Sequence, residues 1–270
     1  MKKTSTIIIL LIAGIVSCRA QSDTSFRLLR SIKGDIAAFT VDNLDNIYIL
    51  SSTNQVKKLN GNGDSVAVFN DVKKFGQASL IDVSNPLKLL LFYKDFLTIV
   101  VLDRLLTVRT IIDLRKRNIL QVQAIGQSYD NKIWVYDEVE NKLRKINDDG
   151  SLLMETADFR QLFDEAPSPQ KIFDQDKYVY LYDSAKAVYT FDYFGALKNK
   201  ILISRWQNFK VAGKFIFGSL NNILYRYDIS TFRTDEWRMP EEIYKSRAFN
   251  FTASRLYALK KDVIEVYSFR

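Results

Sequence analysis

A six-bladed β-propeller, an all-β ring of four-stranded sheets, is the fold class this sequence predicts, and three observations predict it. A unit made of a turn, a strand bearing Tyr or Trp, and a second strand closed by Asp or Asn recurs along the chain. Extended runs such as Tyr178-Val-Tyr-Leu-Tyr182 and Ile99-Val-Val-Leu102 dominate, and long amphipathic helical stretches are missing. Finally, the chain beyond its first twenty or so residues opens on a spare apolar segment, Phe26 to Ile32, while its last unit stops one strand short.

The clearest copies of the unit are Asp45-Asn46-Ile47-Tyr48 with Lys58-Leu59-Asn60 and Gly63, and Asn131-Lys132-Ile133-Trp134 with Lys145-Ile146-Asn147 and Gly150. Aligning second strands puts Tyr48, Leu90, Trp134, Tyr180, Ile216 and Tyr257 in equivalent places, about 42 residues apart, which is the spacing of a propeller blade. Third strands recur in step at 56–60, 99–103, 143–147, 188–192, 224–228 and 264–267. Phe26 to Ile32 is then expected to supply the outer strand of the sixth blade, pairing both open edges and closing the ring. Because blades pack face to face, Phe92, Trp134, Tyr136, Tyr180, Tyr182, Phe215 and Phe217 are expected to fill the space between sheets.

The first twenty residues read as an export signal. Lys2 and Lys3 precede the apolar run from Ile7 to Val16, and small residues follow. Ile15-Val16-Ser17-Cys18 resembles a bacterial lipobox, which would make Cys18 the lipid-bearing first residue of the mature chain. Cleavage after Ala20 is the alternative. The expected compartment is therefore the cell envelope, as a periplasm-facing outer-membrane lipoprotein or, on the alternative, as a soluble periplasmic or secreted protein. Residues 21–270 form the single folded domain, large enough to stand on its core without disulfides.

The first and third units resemble repeats of the NHL and related six-bladed β-propellers, including many exported lipoproteins of Bacteroidota-like bacteria. As architecture the resemblance covers the whole mature chain, and in sequence it is specific for those two units and in part for the fourth.

In a four-stranded meander the loops joining strands one to two and three to four share one end, and the remaining loops share the other. The first end collects Asp42, Asp45, Asp82, Asp130, Asp174 and Asp192 and is expected to be acidic, with tight-turn chemistry as its simplest explanation. The blade-connection end gathers Lys73-Lys74, Arg115-Lys116-Arg117, Arg205-Trp206 and Lys245-Ser246-Arg247. These nine residues apart from Ser246 are the candidate partner-binding set, with Trp206 as its anchor, since aromatic and Arg side chains dominate interface energetics. Between the third and fourth units, Ala157 to Gln170 places Phe159, Leu162 and Phe163 on one side of a short helix before Pro167, either tucked onto the rim or offered to a partner.

The chain of 270 residues has no histidine, a formal charge of +8 at pH 7, and no Walker A, dinucleotide, serine-elbow or zinc-cysteine pattern. The Asp-rich turns lack the downstream glutamate of a calcium loop. No cofactor or metal is expected, and no nucleic acid. The expected function is a non-catalytic platform for an envelope protein partner, attached to the membrane by lipid. A carbohydrate ligand or carbohydrate chemistry in the central funnel is the alternative.

Overall fold

The two ends of the folded chain lie side by side. In the computed structural model, which describes residues 26–70 and 75–269, strand β1 (Phe26–Lys33) runs antiparallel to the last strand, with Phe26 opposite Phe269 and Lys33 opposite Val263. The segment read from sequence as an export signal, with Cys18, and both Lys73 and Lys74 lie outside the described residues.

Blade 1 comprises β2 (Ala38–Val41), β3 (Ile47–Leu50), β4 (Val56–Leu59) and β5 (Ser65–Phe69), and blade 2 comprises β6 (Leu80–Asn85), β7 (Lys88–Tyr93), β8 (Thr98–Asp103) and β9 (Val108–Asp113). Blade 3 holds β10 (Val122–Gln127), β11 (Ile133–Asp137), β12 (Lys142–Ile146) and β13 (Leu152–Glu155), followed by blade 4 with β14 (Lys171–Gln175), β15 (Tyr178–Asp183), β16 (Ala187–Asp192) and β17 (Leu197–Ile201). Blade 5 is β18 (Gln207–Ala212), β19 (Phe215–Leu220), β20 (Ile223–Asp228) and β21 (Arg233–Arg238). A one-turn helix, α1 (Glu241–Tyr244), leads to β22 (Ala248–Phe251), β23 (Arg255–Lys260) and β24 (Val263–Phe269), and β1 completes this sixth sheet. The expected closure and the expected count of six are both present. All six alignment residues from Tyr48 to Tyr257 fall in second strands.

The recurring Asp or Asn followed by Gly has a physical cause. At the end of the third strand, Asn60, Asp103, Asn147 and Asp192 each accept at their main-chain oxygen the N–H of the residue three places on. That third residue stands at positive φ, as Gly63, Leu106, Gly150 and Gly195. The side-chain oxygens of Asn60, Asp103 and Asp192 take two further turn N–H groups each. The result is a type I turn with a left-handed bulge, which shifts the register of the outer strand in all four blades.

Core side chains lie between sheets. Phe92, Trp134, Tyr136, Tyr180, Tyr182 and Phe217 are buried as expected, with Phe215 half-buried, and each fully buried ring contributes roughly 1.5–3 kcal/mol. The 157–170 segment is a 3-10 turn at Phe159–Gln161 and not a longer helix. Phe159 is drawn fully into the gap between blades 3 and 4, stacked on Phe191 with ring centres 4.7 Å apart, while Tyr136 donates to the Pro167 carbonyl at 2.6 Å. Of the three apolar residues only Leu162 is exposed, so the segment packs on the rim.

Candidate functional site

On the blade-connection end, the candidate residues arrive from separate junctions. Arg115, Lys116 and Arg117 form a 3-10 turn between blades 2 and 3, ended by Asn118 at φ 57°. All three are exposed, but Arg117 reaches down the rim to donate to the Asp149 carbonyl at 2.6 Å, and Arg115 pairs with Asp113 at 3.2 Å. Arg205 and Trp206 lie between blades 4 and 5, and Lys245 and Arg247 between blades 5 and 6. The sixfold arrangement brings the last two junctions next to each other and sets the first across the ring from the third.

The side chains differ in how much they are already engaged. Trp206 is half-buried, stacked on Tyr225 at 4.9 Å and lying on Gly218, where an added Cβ would meet its ring at 2.6 Å. Arg247 donates to the carbonyls of Ile36 and Ala37, joining blade 6 to the segment that enters blade 1. Lys245 pairs with Glu241 on the surface, and Arg205, at φ 59°, is exposed. The nearby Asp137 and Asp183 are buried turn caps, so they contribute little to the surface.

The opposite end uses four of its carboxylates to join blades. Asp45 of blade 1 accepts from Tyr257 and Thr252 of blade 6, Asp82 of blade 2 accepts the Gln127 N–H of blade 3 at 2.7 Å, and Asp148 of blade 3 pairs with the buried Lys88 of blade 2. Asp174 of blade 4 is the most connected. It accepts from Ser128 at 2.9 Å, the indole of Trp134 at 2.8 Å, and the hydroxyl of Tyr193 at 2.7 Å. Burial and this contact to Asp174 push the Tyr193 hydroxyl well above its ordinary pKa.

Around that carboxylate the chain builds an aromatic cleft. Tyr129 stacks on Tyr193 with centres 4.5 Å apart and planes 9° from parallel, and the Lys145 ammonium, paired to Asp130, lies within 5.6 Å of both rings and of Trp134. Tyr178, Phe194, Asp176, Lys177 and Lys198 complete the walls of a space of about 630 Å³. Phe194 is 91% exposed and Tyr129 66%. Sequence reasoning did not single out this cleft. Its signal was local: Tyr193 and Phe194 occupy the turn places that Gly61 and Asn62 hold in blade 1, and an aromatic there is not what the turn requires.

The inner strands meet in the middle through cations and amides. Lys171 of β14 donates to the Phe209 carbonyl at 3.0 Å, and Lys210 of β18 reaches past blade 6 to the Val41 carbonyl at 2.8 Å. Asn250 bonds Thr40 at 3.2 Å beside them. Surrounded by protein yet touched by solvent, both ammoniums have pKa values lowered by desolvation to about 8.

No protein-family model matches the chain, and no curated protein does. Among solved structures it is similar to virginiamycin B lyase from Staphylococcus aureus, at 12% identity and TM-score 0.62 over 91% of this chain and 100% of that one. That enzyme is also known as a catalytically inactive histidine-to-alanine variant with quinupristin. The WD40 domain of Neurospora crassa Pan2 aligns at 10% identity and TM-score 0.62 over 92% of this chain and 96% of that one. BBS1N, in complex with ARL6DN, aligns at 10% identity and TM-score 0.56 over 91% and 97%. At such identities the likeness carries architecture alone, and together with the six sheets it establishes this chain as a six-bladed β-propeller.

Proposed function

We propose that the chain is a non-catalytic protein-interaction platform of a Gram-negative envelope, carried at the periplasmic side of the outer membrane by lipid on Cys18 and serving an assembly or secretion complex. The observation that carries this reading is a division of labour. The ring is clamped blade to blade by buried polar contacts, while Arg115, Lys116, Arg205 and Lys245 stand exposed on the loops of one end. Cationic loops on a rigid frame steer an acidic protein surface. The WD40-type likeness and the propeller solved with a protein partner support the same use.

Lyase chemistry is not part of the proposal. The lyase variant that lost activity lost a histidine, and this chain contains none. The funnel reading takes second place, because among the described residues the bonds that cross the centre come from lysines and amides, while Asp42, Asp45 and Asp82, whose charges reach Lys210, are held in turn and blade contacts.

The test is affinity isolation of the tagged full chain from crosslinked envelopes, with mass spectrometry of both the co-isolated proteins and the N-terminal peptide. Partners are expected to be lost when Arg115, Lys116, Arg205 and Lys245 are all changed to Glu, and Cys18 is expected to carry acyl chains. An unchanged partner set would remove the platform reading, and an N-terminus at Gln21 would remove the anchor.

A further inference from the structure

The aromatic cleft lies at the end opposite the platform loops and has a chemistry of its own. Four rings line it, on backbone that is fixed by tight turns. Phe194 and Tyr193 project from the bulged turn after β16, where Asp192 accepts the N–H groups of Phe194 and Ala196 at 2.9 Å each and Gly195 stands at φ 84°. Tyr193 is fixed further by its hydroxyl bond to Asp174 and its stack on Tyr129. Across the cleft, Tyr178 follows the two-residue hairpin turn Asp176-Lys177, both residues at positive φ. The Tyr193–Tyr129 stack, formed before a ligand arrives, loses little entropy on binding it.

The polar groups at the rim select the ligand. Asp176 and Lys177 are adjacent in one wall, and Lys198 is paired with Asp192 at 2.9 Å in the other, so the rim offers acceptors and donors in equal number and no net charge. A strongly anionic or cationic ligand therefore gains nothing overall. Proline-rich peptides, which dock on aromatic ridges, need ring donors for their carbonyls. Here the Tyr193 hydroxyl is already committed to Asp174 and Phe194 has none, so only Tyr129 and Tyr178 are left to donate, and a proline-rich peptide is the rival ligand that the test separates. A neutral pyranose fits what remains: a C–H face to lie on exposed rings, and hydroxyls that both give and accept hydrogen bonds at the rim. The space of about 630 Å³ is within the usual range for small-ligand sites, roughly 300–1,000 Å³.

We propose that this cleft between blades 3 and 4 is a carbohydrate-binding subsite for neutral pyranose residues of a glycan, built on Phe194, Tyr129 and Tyr178 with Asp176, Lys177 and Lys198 as its hydrogen-bonding rim. It is independent of the platform reading and of any chemistry in the central funnel.

Saturation-transfer NMR on the full chain tests it with linear oligosaccharides of glucose, mannose and N-acetylglucosamine, with oligogalacturonate and a proline-rich peptide as competitors. Transfer to ring C–H protons of at least one neutral sugar is expected. Phe194→Ala and Tyr129→Ala are expected to weaken it ~10-fold or more, equivalent to about 1.4 kcal/mol, and Phe194→Ala to do so without changing the melting temperature. Glu236→Gln, exposed on the outer strand of blade 5, is expected to leave it intact. No transfer from any neutral sugar, transfer that survives both aromatic substitutions, or tighter binding of oligogalacturonate or the peptide would each overturn the assignment. None of these outcomes touches partner capture through Arg115, Lys116, Arg205 and Lys245, which has its own readout.

Discussion

The hydroxyl of Tyr257 donates to the Asp45 carboxylate at 2.6 Å, and this bond ties the last blade to the first. Arg255 pairs with the other carboxylate oxygen at 3.0 Å and Thr252 adds a third donor, so four residues straddle the closure of the ring. Asp45 stands at φ 63°, a conformation that Asn also tolerates, which makes Asp45→Asn a clean removal of charge. Asp45→Asn and Tyr257→Phe are each expected to lower the unfolding free energy by about 1.5–3 kcal/mol, the range for hydrogen bonds to charged groups. Urea titrations of both single variants and the double variant should show losses well short of additive, and additive losses would mean the two groups do not act together.

Gly218 lies under the indole of Trp206, and no side chain fits between them. Gly218→Ala is expected to push Trp206 off Tyr225 and to cost about 1–3 kcal/mol, the usual penalty of overpacking. Near-UV circular dichroism should show the altered indole environment along with the lowered urea midpoint. An unaltered aromatic spectrum would show that Trp206 is not seated as described, and would return it to the list of free surface anchors.

How far the sequence disclosed this molecule follows from which forces repeat. Strand spacing recurs in every blade and the bulged turn in four of them, so Asn60, Asn147 and Asp192 announced the bulged turns, and the spare Phe26 to Ile32 segment announced the closure. Contacts between blades do not repeat in register. That Trp134 would reach Asp174 forty residues on, or that Lys210 would cross to Val41, depends on how twisted sheets meet around a ring, and no local pattern encodes it. The same blindness hid the cleft, whose walls come from turns of two blades, and it made Arg247 look like a free surface cation.

Arg247 and Lys245 are two positions apart on one junction and are expected to respond in opposite ways. Arg247→Ala leaves the Ile36 and Ala37 carbonyls without their shared donor and is expected to cost about 1–3 kcal/mol. Lys245→Ala removes half of an exposed ion pair and is expected to shift stability by less than about 1 kcal/mol while weakening partner capture. Thermal melts paired with affinity isolation separate the two. Equal losses of stability would show that the junction is held by both residues alike.

The two central lysines give the fold a pH dependence of definite sign. Unfolded, Lys171 and Lys210 hold their protons up to about their ordinary value of 10.5, whereas in the folded ring desolvation brings both to about 8. Below pH 8 both states carry the charge, and its desolvation weighs on the native state in full. Between about pH 8 and 10 the unfolded chain binds more protons, so the contribution of each lysine to stability rises with pH. Tyrosines act in the opposite direction only above their unfolded value of 10, since burial raises Tyr180 and Tyr182 to about 12. The comparison to make is therefore the wild type against Lys171→Met and Lys210→Met, by urea titration at about pH 7 and about pH 9.5. Removing the ammonium removes the pH term, so the wild type is expected to gain on each variant as pH rises. A stability difference that stays constant across this range would mean that these lysines titrate where free ones do, and that the centre of the ring is wetter than its packing implies.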